Sequence, residues 1–366
     1  MRILHIIVAG QIGGAERFLV NLAQHQEWSG AEHCIALMTP SVALRNFFEK
    51  AGLSIQDRGP VQENPLAYLW RSWGPQDLHW LGSVIAKTKP DILHCHTYGS
   101  HVLTARAGLH FNLPVVRTEH GVRHYADPTC GLFRHWSLHH TTQVIAVSNF
   151  VGARVESVAP YMKGKVRVVH NGIDLSHFAP QPMQQETPLR LTVLSRLEPI
   201  KRLSIAIEAI AQIPDTVLDV VGDGAERQSL EALAATLGVS DRVHFHSHQR
   251  DPRPFLAASH AVLNTTREEG LSLSLIEAAA MARPAIGFAA GGVPEVVEDG
   301  QTGWLTTNQT TEGLAEAIKI AAGDPAELAF RGIKARERVE KAFGLKAMCE
   351  GYGAVYRDLL SKPAHS

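Results

Sequence analysis

The chain has 366 residues, a length that favours two domains or one large α/β barrel. Its hydrophobic fraction of 45% and charged fraction of 19% are those of an ordinary globular protein and exclude disordered and fibrous classes. Thirty-five basic and thirty-six acidic residues leave a net charge of −1, so we expect no nucleic-acid partner. Four scattered cysteines, and no apolar run near the roughly 20 residues of a membrane span, favour a cytoplasmic protein.

Short apolar runs alternate with amphipathic segments along the first half of the chain. The runs are continuously apolar, as expected for parallel strands that helices cover on both faces. The predicted strands are 2–8, 33–38, 91–95, 114–118, 143–147 and 166–169, and the predicted helices between them include 15–28, 77–88, 99–110 and 149–158.

A segment with three prolines and few apolar residues, 178–188, separates this half from a second alternating half. Predicted strands follow at 190–195, 217–221, 242–246, 260–264, 285–288 and 303–305. We therefore predict two doubly wound α/β domains, 1–178 and 190–344, joined by a linker at 179–189. An amphipathic segment at 345–366 is expected to pack back across the domain junction. Ligands of open parallel sheets lie beyond the carboxyl ends of the strands, which places the site in a cleft between the domains.

The first predicted strand ends in a glycine-rich turn that contains Gly13 and Gly14 and leads into a helix. Such a turn allows an anion to approach the backbone amides at a helix N-terminus, although a tight turn without a ligand has the same pattern. The pattern is not G-x-G-x-x-G, and the second strand is not followed by an acidic residue that would bind a ribose. A nicotinamide or flavin cofactor is therefore disfavoured.

Two cations, Arg196 and Lys201, follow the strand predicted at 190–195. Together they are suited to binding a diphosphate, although solvated surface charges would show the same spacing.

The strongest signal is the segment 267–278, in which Glu269 precedes a helix predicted to start near Leu271 and Glu277 lies about two turns further on. The first helical amides, from Leu271 to Ser274, suit a phosphate, and the two carboxylates suit sugar and ribose hydroxyls. The alternative is a helix with an acidic first turn and one buried glutamate.

These motifs, with Gly291-Gly292-Val293-Pro294-Glu295, resemble glycosyltransferase family 4 over nearly the whole chain. The resemblance implies the GT-B fold, which is two Rossmann-like domains facing across a cleft. It also implies a retaining, metal-independent enzyme that uses a nucleotide-sugar donor and no cofactor.

The resemblance further implies roles for individual residues. Arg196 and Lys201 would bind the donor diphosphate, with help from the amides of Gly13, Gly14, Leu273 and Ser274. Glu277 would hold the ribose hydroxyls, Glu269 would contact the transferred sugar, and His120 would face that sugar.

Three positions depart from the family pattern. Leu271 stands in place of an aromatic residue, Ser272 stands in place of the usual small residue after it, and Arg202 stands where a glycine is common.

Other histidines and tryptophans allow two interpretations each. His244, His246 and His248 alternate along one predicted strand and could bind zinc or border the nucleotide base; because the family needs no metal, we predict no metal site. Trp70 and Trp73, with the nearby cation Arg71, fit either core packing or a surface for a lipid acceptor at the inner membrane face.

The resulting expectation is a glycosyltransferase that transfers a sugar from a UDP- or GDP-sugar to a glycan or a lipid-linked acceptor in polysaccharide or glycoconjugate biosynthesis. The alternatives are a nucleotide-sugar-binding protein without transferase activity and a sugar-nucleotide epimerase.

Overall fold

The structure, a computed structural model, describes residues 1–10, 12–61, 64–125, 128–183 and 188–361. The chain forms two compact units. Unit 1 comprises Met1–Gly172 together with the segment from Leu345 onward, and unit 2 comprises Ile173–Gly344. The sequence prediction ended the first domain at residue 178; in the structure, the Ile173 amide donates to the Phe343 carbonyl at 2.9 Å, within unit 2. Residues 184–187 of the predicted linker, and 362–366 of the predicted final segment, lie outside the described residues.

Unit 1 contains a seven-stranded sheet in the order β3-β2-β1-β4-β5-β6-β7, with every neighbouring pair parallel. The strands are β1 (Arg2–Val8), β2 (Glu32–Met38), β3 (Ser54–Asp57), β4 (Ile92–Cys95), β5 (Val115–Glu119), β6 (Gln143–Ala146) and β7 (Val166–Val168). The helices are α1 (Gly14–Gln24), α2 (Gln26–Ser29), α3 (Val42–Lys50), α4 (Pro65–Trp73), α5 (Pro75–Thr88), α6 (Tyr98–Phe111), α7 (Pro128–His139) and α8 (Asn149–Val158).

Side-chain alternation along β1 divides the core of unit 1 between the two faces of its sheet. Ile3 and Ile7 pack in one apolar cluster, whereas Leu4 and Ile6 pack in another. The cluster around Ile3 also contains buried residues of the last helix of the chain, which therefore completes the core of unit 1.

Unit 2 contains a six-stranded parallel sheet in the order β10-β9-β8-β11-β12-β13. The strands are β8 (Leu189–Leu194), β9 (Thr216–Val221), β10 (Val243–His246), β11 (Ala261–Asn264), β12 (Ala285–Phe288) and β13 (Gly303–Thr306). The helices are α9 (Leu203–Ala211), α10 (Arg227–Thr236), α11 (Arg253–Ala258), α12 (Leu273–Ala280), α13 (Val293–Val296), α14 (Thr311–Ala322) and α15 (Pro325–Ala342), and α16 (Leu345–Ser361) then returns to unit 1.

The two parallel sheets confirm the predicted α/β class, and the twelve predicted strands are present with boundaries shifted by a residue or two. The sequence analysis missed β3, a four-residue edge strand whose side chains are all exposed or half-buried, because it lacks a continuous apolar run. Within the described residues, no helix is long and apolar enough to cross a membrane.

Candidate functional site

In unit 2, the predicted site residues follow the carboxyl ends of adjacent strands. Arg196 and Lys201 come after β8, and Glu269 comes after β11, the neighbour of β8 in the sheet. The chain continues from β8 towards β9 on one side, and from β11 towards β12 on the other. The two loops therefore meet at the topological switch point, where doubly wound sheets bind ligands.

The structure brings two of these side chains into direct contact. Lys201 Nζ donates to Glu269 Oε2 at 2.6 Å, and each side chain is only 20% exposed. Arg196 pairs instead with Glu198 in its own loop, and its side chain is 67% exposed. Both cations are thus paired with carboxylates that an anionic ligand would have to displace.

Backbone hydrogen bonds and threonine hydroxyls join the two loops that carry this pair. The Arg267 amide donates to the Ile200 carbonyl at 2.9 Å, and Thr265 Oγ1 donates to the Lys201 carbonyl at 2.7 Å. Within its own loop, Thr266 Oγ1 donates to the Glu268 carbonyl at 3.0 Å. These contacts fix the backbone on both sides of the ion pair.

Two glycines allow further loops to approach the backbone of the two site loops closely. Gly291 has φ +57°, and a Cβ there would lie 2.2 Å from the Glu269 carbonyl oxygen. The next amide, of Gly292, donates to that oxygen at 2.8 Å. Gly222, at φ +144°, likewise leaves only 2.0 Å between an added Cβ and the Ser195 carbonyl oxygen. Both glycines are required by close backbone approach as well as by dihedral angle.

Helix α12 begins at Leu273, two residues later than predicted, because Ser272 is its N-cap in an extended conformation. Leu273 and Ser274 are therefore its first two residues, whose amides have no acceptor within a helix. Glu277 lies four residues after Leu273, on the same side of the helix, and is half-buried. Leu271 is buried, so it serves as core where the family pattern has an aromatic residue.

Arg202, the third departure from the family pattern, has φ +52° and is the N-cap of α9. This left-handed conformation explains why glycine is common there. The Arg202 guanidinium donates to the Gln309 carbonyl at 2.7 Å and lies over the Phe288 ring, 5.4 Å from its centroid. These contacts offset the strain of an L-residue at this position.

In unit 1, the predicted glycine turn does begin a helix. Gly13 is the N-cap of α1, and Gly14 is its first residue. The Gly13 amide donates to Glu16 Oε2 at 2.8 Å, and burial raises the pKa of the Glu16 carboxyl. An anion that bound this amide would displace the Glu16 carboxylate.

His120 follows β5 and is half-buried, with its ring edge-on to Phe18 at 5.4 Å between centroids. Its Nε2 atom has no hydrogen-bond partner among the described residues. Burial lowers the pKa of His120 to about 4, so the ring is neutral at physiological pH.

A buried ion pair, which the sequence analysis did not identify, lies just before His120. Arg117 and Glu119 are 2.8 Å apart, and Tyr125 Oη donates to Glu119 at 2.8 Å. Burial alone would raise the pKa of Glu119, but Arg117, His124 and Tyr125 lower it to about 2. The sequence signal that could have identified this ion pair is the alternation of two charged residues, Arg117 and Glu119, with apolar or neutral ones in the strand.

The histidines considered for metal binding have other partners. His246 Nε2 lies 2.8 Å from Asp219 Oδ1, and His244 Nδ1 lies 3.7 Å from the same oxygen. Asp219, a lone carboxylate in an apolar strand, was overlooked in the sequence; Arg190 also binds it at 2.7 Å. The absence of a metal site stays a prediction.

A second histidine group, in unit 1, has metal-like spacing. His5, His94 and His96 are buried, and one nitrogen of each lies within 4.8 Å of the others. His5 and His94 use both ring nitrogens in hydrogen bonds and His96 uses Nε2, and the group includes no carboxylate to balance a cation.

Two family models match the chain on either side of residue 180. Residues 12–177 match Glycosyltransferase Family 4, and residues 188–324 match Glycosyl transferases group 1. The chain belongs to glycosyltransferase family 4. Membership confirms the resemblance read from the sequence and makes the protein a glycosyltransferase of the GT-B type.

Curated relatives of this glycosyltransferase act on different molecules. N-acetyl-alpha-D-glucosaminyl L-malate synthase of Bacillus anthracis is 28% identical over 298 residues, which is 76% of this chain and 78% of the relative. The lipopolysaccharide core biosynthesis glycosyltransferase LpsE of Rhizobium meliloti is 32% identical, over 55% of this chain and 59% of the relative. These similarities leave the substrates undecided.

Solved structures share the fold of the glycosyltransferase over almost its full length. HepE from Anabaena, in complex with UDP and glucose, has a TM-score of 0.83 with 22% identity, over 99% of this chain and 100% of HepE. A glycosyltransferase from Rickettsia africae has a TM-score of 0.84 with 20% identity, over 99% of each chain.

Proposed function

We propose that the protein transfers a sugar, with retained anomeric configuration, from a UDP- or GDP-sugar to a hydroxyl of a glycan or lipid-linked acceptor. The observation that carries this proposal is the half-buried Lys201–Glu269 pair at the switch point of unit 2. It places a cation for a phosphate beside a carboxylate for a sugar hydroxyl. The HepE complex with UDP and glucose supports a nucleotide-sugar donor.

In this proposal, Arg196 and Lys201 bind the donor diphosphate. Phosphate oxygens replace the carboxylates of Glu198 and Glu269 that now accept their hydrogen bonds. The amides of Gly13, Gly14, Leu273 and Ser274 add uncharged donors to the same anion. Glu269, released from Lys201, then accepts a hydroxyl of the transferred sugar, and Glu277 accepts the ribose hydroxyls.

Catalysis is then an electrostatic task. As the bond from the sugar to the diphosphate breaks, negative charge develops on the leaving oxygen, and Arg196, Lys201 and the amides stabilise it. The leaving phosphate accepts the proton of the acceptor hydroxyl, so no protein nucleophile is assigned. His120 faces the transferred sugar. Two cations take the place that a divalent metal would otherwise fill, and no cofactor is involved.

The two glutamates provide the test. To identify the donor, UDP, GDP and ADP are screened by thermal shift, followed by the corresponding nucleotide sugars. Glu277→Ala should weaken binding of the free nucleotide, whereas Glu269→Ala should keep nucleotide affinity and lower sugar transfer. If calorimetry shows equal losses of free-nucleotide affinity for both variants, the assignment is refuted.

Two alternatives give different outcomes in the same assays. A binding protein without activity would be stabilised by the nucleotide sugar but would neither hydrolyse nor transfer it. An epimerase would convert the donor alone into a second nucleotide sugar, which product analysis detects.

Exposed apolar side chains on α4 support peripheral contact with the inner face of the membrane, from the cytoplasm. Leu66 is 78%, Trp70 61% and Trp73 39% exposed. This exposure argues against a purely core role, although Trp73 also contacts Trp136 with 4.9 Å between ring centroids. Of the two interpretations left open by the sequence, core packing holds for Arg71, because its side chain is buried in unit 1.

Liposome flotation tests this contact. The wild type should float with anionic vesicles more than with neutral ones, and Trp70→Ala/Trp73→Ala should float less. Negligible flotation of both proteins with either vesicle would exclude membrane contact and leave a soluble glycan as the acceptor.

A further inference from the structure

The last part of unit 1 carries an excess of positive charge. Residues 128–168 contain five basic residues but a single acidic one, Glu156, although the whole chain is almost neutral. Arg134 is half-buried and donates to the Tyr125 carbonyl, whereas the other four cations are exposed. These four, called the basic edge below, are Arg154, Lys163, Lys165 and Arg167. A local excess of this kind attracts anionic partners whatever the net charge of the chain.

The four cations of the basic edge lie on elements that pack together at the end of the sheet. Lys163 and Lys165 belong to the turn between the 3₁₀ helix Pro160–Met162 and β7. Arg167 lies in β7, the last strand of the sheet. Arg154 is on α8, which packs against both the 3₁₀ helix and β7. The helix, the turn and the strand therefore present one local surface.

Carboxylates leave most of the basic edge without a counter-charge. Within the described residues, its members other than Arg167 form no ion pair. Arg167 lies 3.8 Å from Asp358, but the two side chains are 58% and 60% exposed, so water weakens this pair. Glu156 follows Arg154 by two residues, a spacing at which helical side chains do not face each other. By contrast, the cation Arg227 of unit 2 pairs with a carboxylate of its own helix.

Protection of an edge strand does not account for the basic edge. Because β7 is the last strand of the sheet, one of its sides is open to pairing with another chain, and charged side chains commonly block such pairing. Arg167 serves this purpose from within β7. The other three cations lie outside the strand, so they need a different explanation.

Aromatic side chains connect the basic edge to α4, which carries the exposed apolar residues. Tyr161, two residues before Lys163, is 41% exposed, and its Oη atom donates to the His135 carbonyl of α7 at 3.1 Å. The next residue of α7, Trp136, contacts Trp73 of α4, with 4.9 Å between ring centroids. Helix α7 therefore joins the cations and the exposed apolar side chains into one side of unit 1.

The opposite face of the sheet provides a reference surface in the same unit. Helix α8 lies on the Ala146 side of β6, because a Cβ added at Gly152 would be 3.6 Å from the Ala146 Cβ. Ile145, the preceding residue of β6, points to the other face and packs in one cluster with buried residues of α3 and α16. The exposed Lys50 of α3 and Lys346 of α16 therefore belong to the side of unit 1 opposite the basic edge.

The combination of cations and apolar side chains fits the surface of an anionic lipid bilayer. Such a bilayer offers negative headgroups to the cations and an apolar layer to Leu66 and Trp70, which are 78% and 61% exposed. Tyr161 is suited to the boundary between the two layers, because its ring is apolar and its hydroxyl is polar. A soluble polyanion would neutralise the cations but leave the apolar side chains in water.

We propose that the basic edge binds the headgroups of anionic lipids and makes the membrane contact of the enzyme selective for them. The basic edge deepens the membrane contact of the proposed function, on which this proposal rests, by adding the residues that select the lipid. Each cation near an anionic surface contributes about fivefold in binding, the equivalent of about 1 kcal/mol, and salt weakens the attraction. Cations alone bind a membrane weakly, so α4 supplies the second contact that stable association requires.

Flotation with vesicles of two compositions tests the basic edge. Vesicles of phosphatidylcholine alone are compared with vesicles of an equal mixture of phosphatidylcholine and phosphatidylglycerol. Lys163→Gln/Lys165→Gln should lower the partition coefficient of the protein onto the mixed vesicles by about 25-fold, from two cations at about fivefold each. Its partition onto the neutral vesicles, which depends on α4, should equal that of the wild type. Both lysines are exposed, so the variant should keep the Tm of the wild type.

Lys50→Gln/Lys346→Gln is the matched control, because it removes the same charge from the opposite side of unit 1. It should keep the wild-type partition onto both kinds of vesicle. Equal partition of the two double variants onto the mixed vesicles would overturn the assignment, since only net charge would then matter. If Lys163→Gln/Lys165→Gln loses affinity for heparin but keeps its vesicle partition, the basic edge binds a soluble polyanion and the proposal is wrong.

The wild type separates this proposal from the proposed function. If it floats with neither kind of vesicle, the membrane contact and the lipid selectivity of the basic edge both fail. Hydrolysis or transfer of the nucleotide sugar by the same preparation would show that the glycosyltransferase activity stands without them. If the wild type floats and Trp70→Ala/Trp73→Ala does not, while Lys163→Gln/Lys165→Gln floats as the wild type does, the membrane contact stands and only the basic edge is misassigned.

Discussion

Gly291→Ala tests whether the position of Glu269 depends on the backbone of its neighbouring loop. Gly291 lies at φ +57°, and an added Cβ would meet the Glu269 carbonyl oxygen at 2.2 Å and the Glu269 amide nitrogen at 2.9 Å. Ordinary contacts begin near 3.4 Å, so the Glu269 carbonyl must move by about 1.2 Å. That shift would separate Glu269 from Lys201, now 2.6 Å away.

Two costs add in this variant. A left-handed conformation costs an alanine about 1–2 kcal/mol, and relief of the overlap adds about 1–3 kcal/mol, so the free energy of unfolding should fall by about 2–5 kcal/mol. Misplacing a catalytic group by about 1 Å lowers rates by about 100-fold, which is the loss expected in kcat/KM for sugar transfer.

Gly300→Ala is the control, because Gly300 has φ +76° with no atom within 4 Å of an added Cβ. It should lose only the left-handed cost, about 1–2 kcal/mol, and keep wild-type kcat/KM. Urea unfolding and steady-state kinetics measure both quantities. Equal stability and equal kcat/KM for the two variants would refute the argument that Gly291 positions Glu269.

Three further predictions concern charge. Arg196→Ala and Lys201→Ala should each lower turnover by about tenfold to several hundredfold, since each removes a charged partner of the leaving group; near-wild-type kinetics for both would show the diphosphate site to be misassigned. Turnover should persist in EDTA, and complete loss restored by Mn²⁺ would contradict the proposed mechanism. The free energy of unfolding should fall as pH drops from about 6.5 to about 4. Burial lowers the pKa of His33 and His120 to about 4, so the unfolded chain, with histidine pKa near 6.5, takes up protons first. Urea unfolding across this range checks the sign, and His33→Gln should flatten the slope.

Strand positions were predictable from sequence because a buried parallel strand is a continuous apolar run. Leu191–Leu194, for example, stands out without any knowledge of its neighbours. The edge strand Ser54–Asp57 was not predictable in this way, since its side chains are all exposed or half-buried. It pairs with β2 through the backbone, which any residue type supplies.

The sequence indicated which loops carry the site residues, but it did not show how these loops are arranged relative to one another. The position of Lys201 and Glu269 after strands indicated ligand binding, yet their contact depends on β8 lying beside β11, and strand order is not encoded in local periodicity. The same limit applies to the histidines: the two-residue spacing of His94 and His96 was visible, but their bonds to His5 and Tyr356 come from distant segments.

Hydrogen bonds to backbone carbonyls fix the loops of unit 2, whereas the charged side chains of these loops form ion pairs with one another. The Glu269 carbonyl accepts from Gly292, and the Lys201 carbonyl accepts from Thr265, so neither bond is lost when the side chains change partners. In the proposed function, a diphosphate therefore replaces a carboxylate without moving the loops. The two ion pairs differ in exposure: Arg196 is 67% exposed and Lys201 only 20%. Salt screens the exposed Arg196–Glu198 pair more strongly, so that pair is the easier one for an incoming phosphate to exchange.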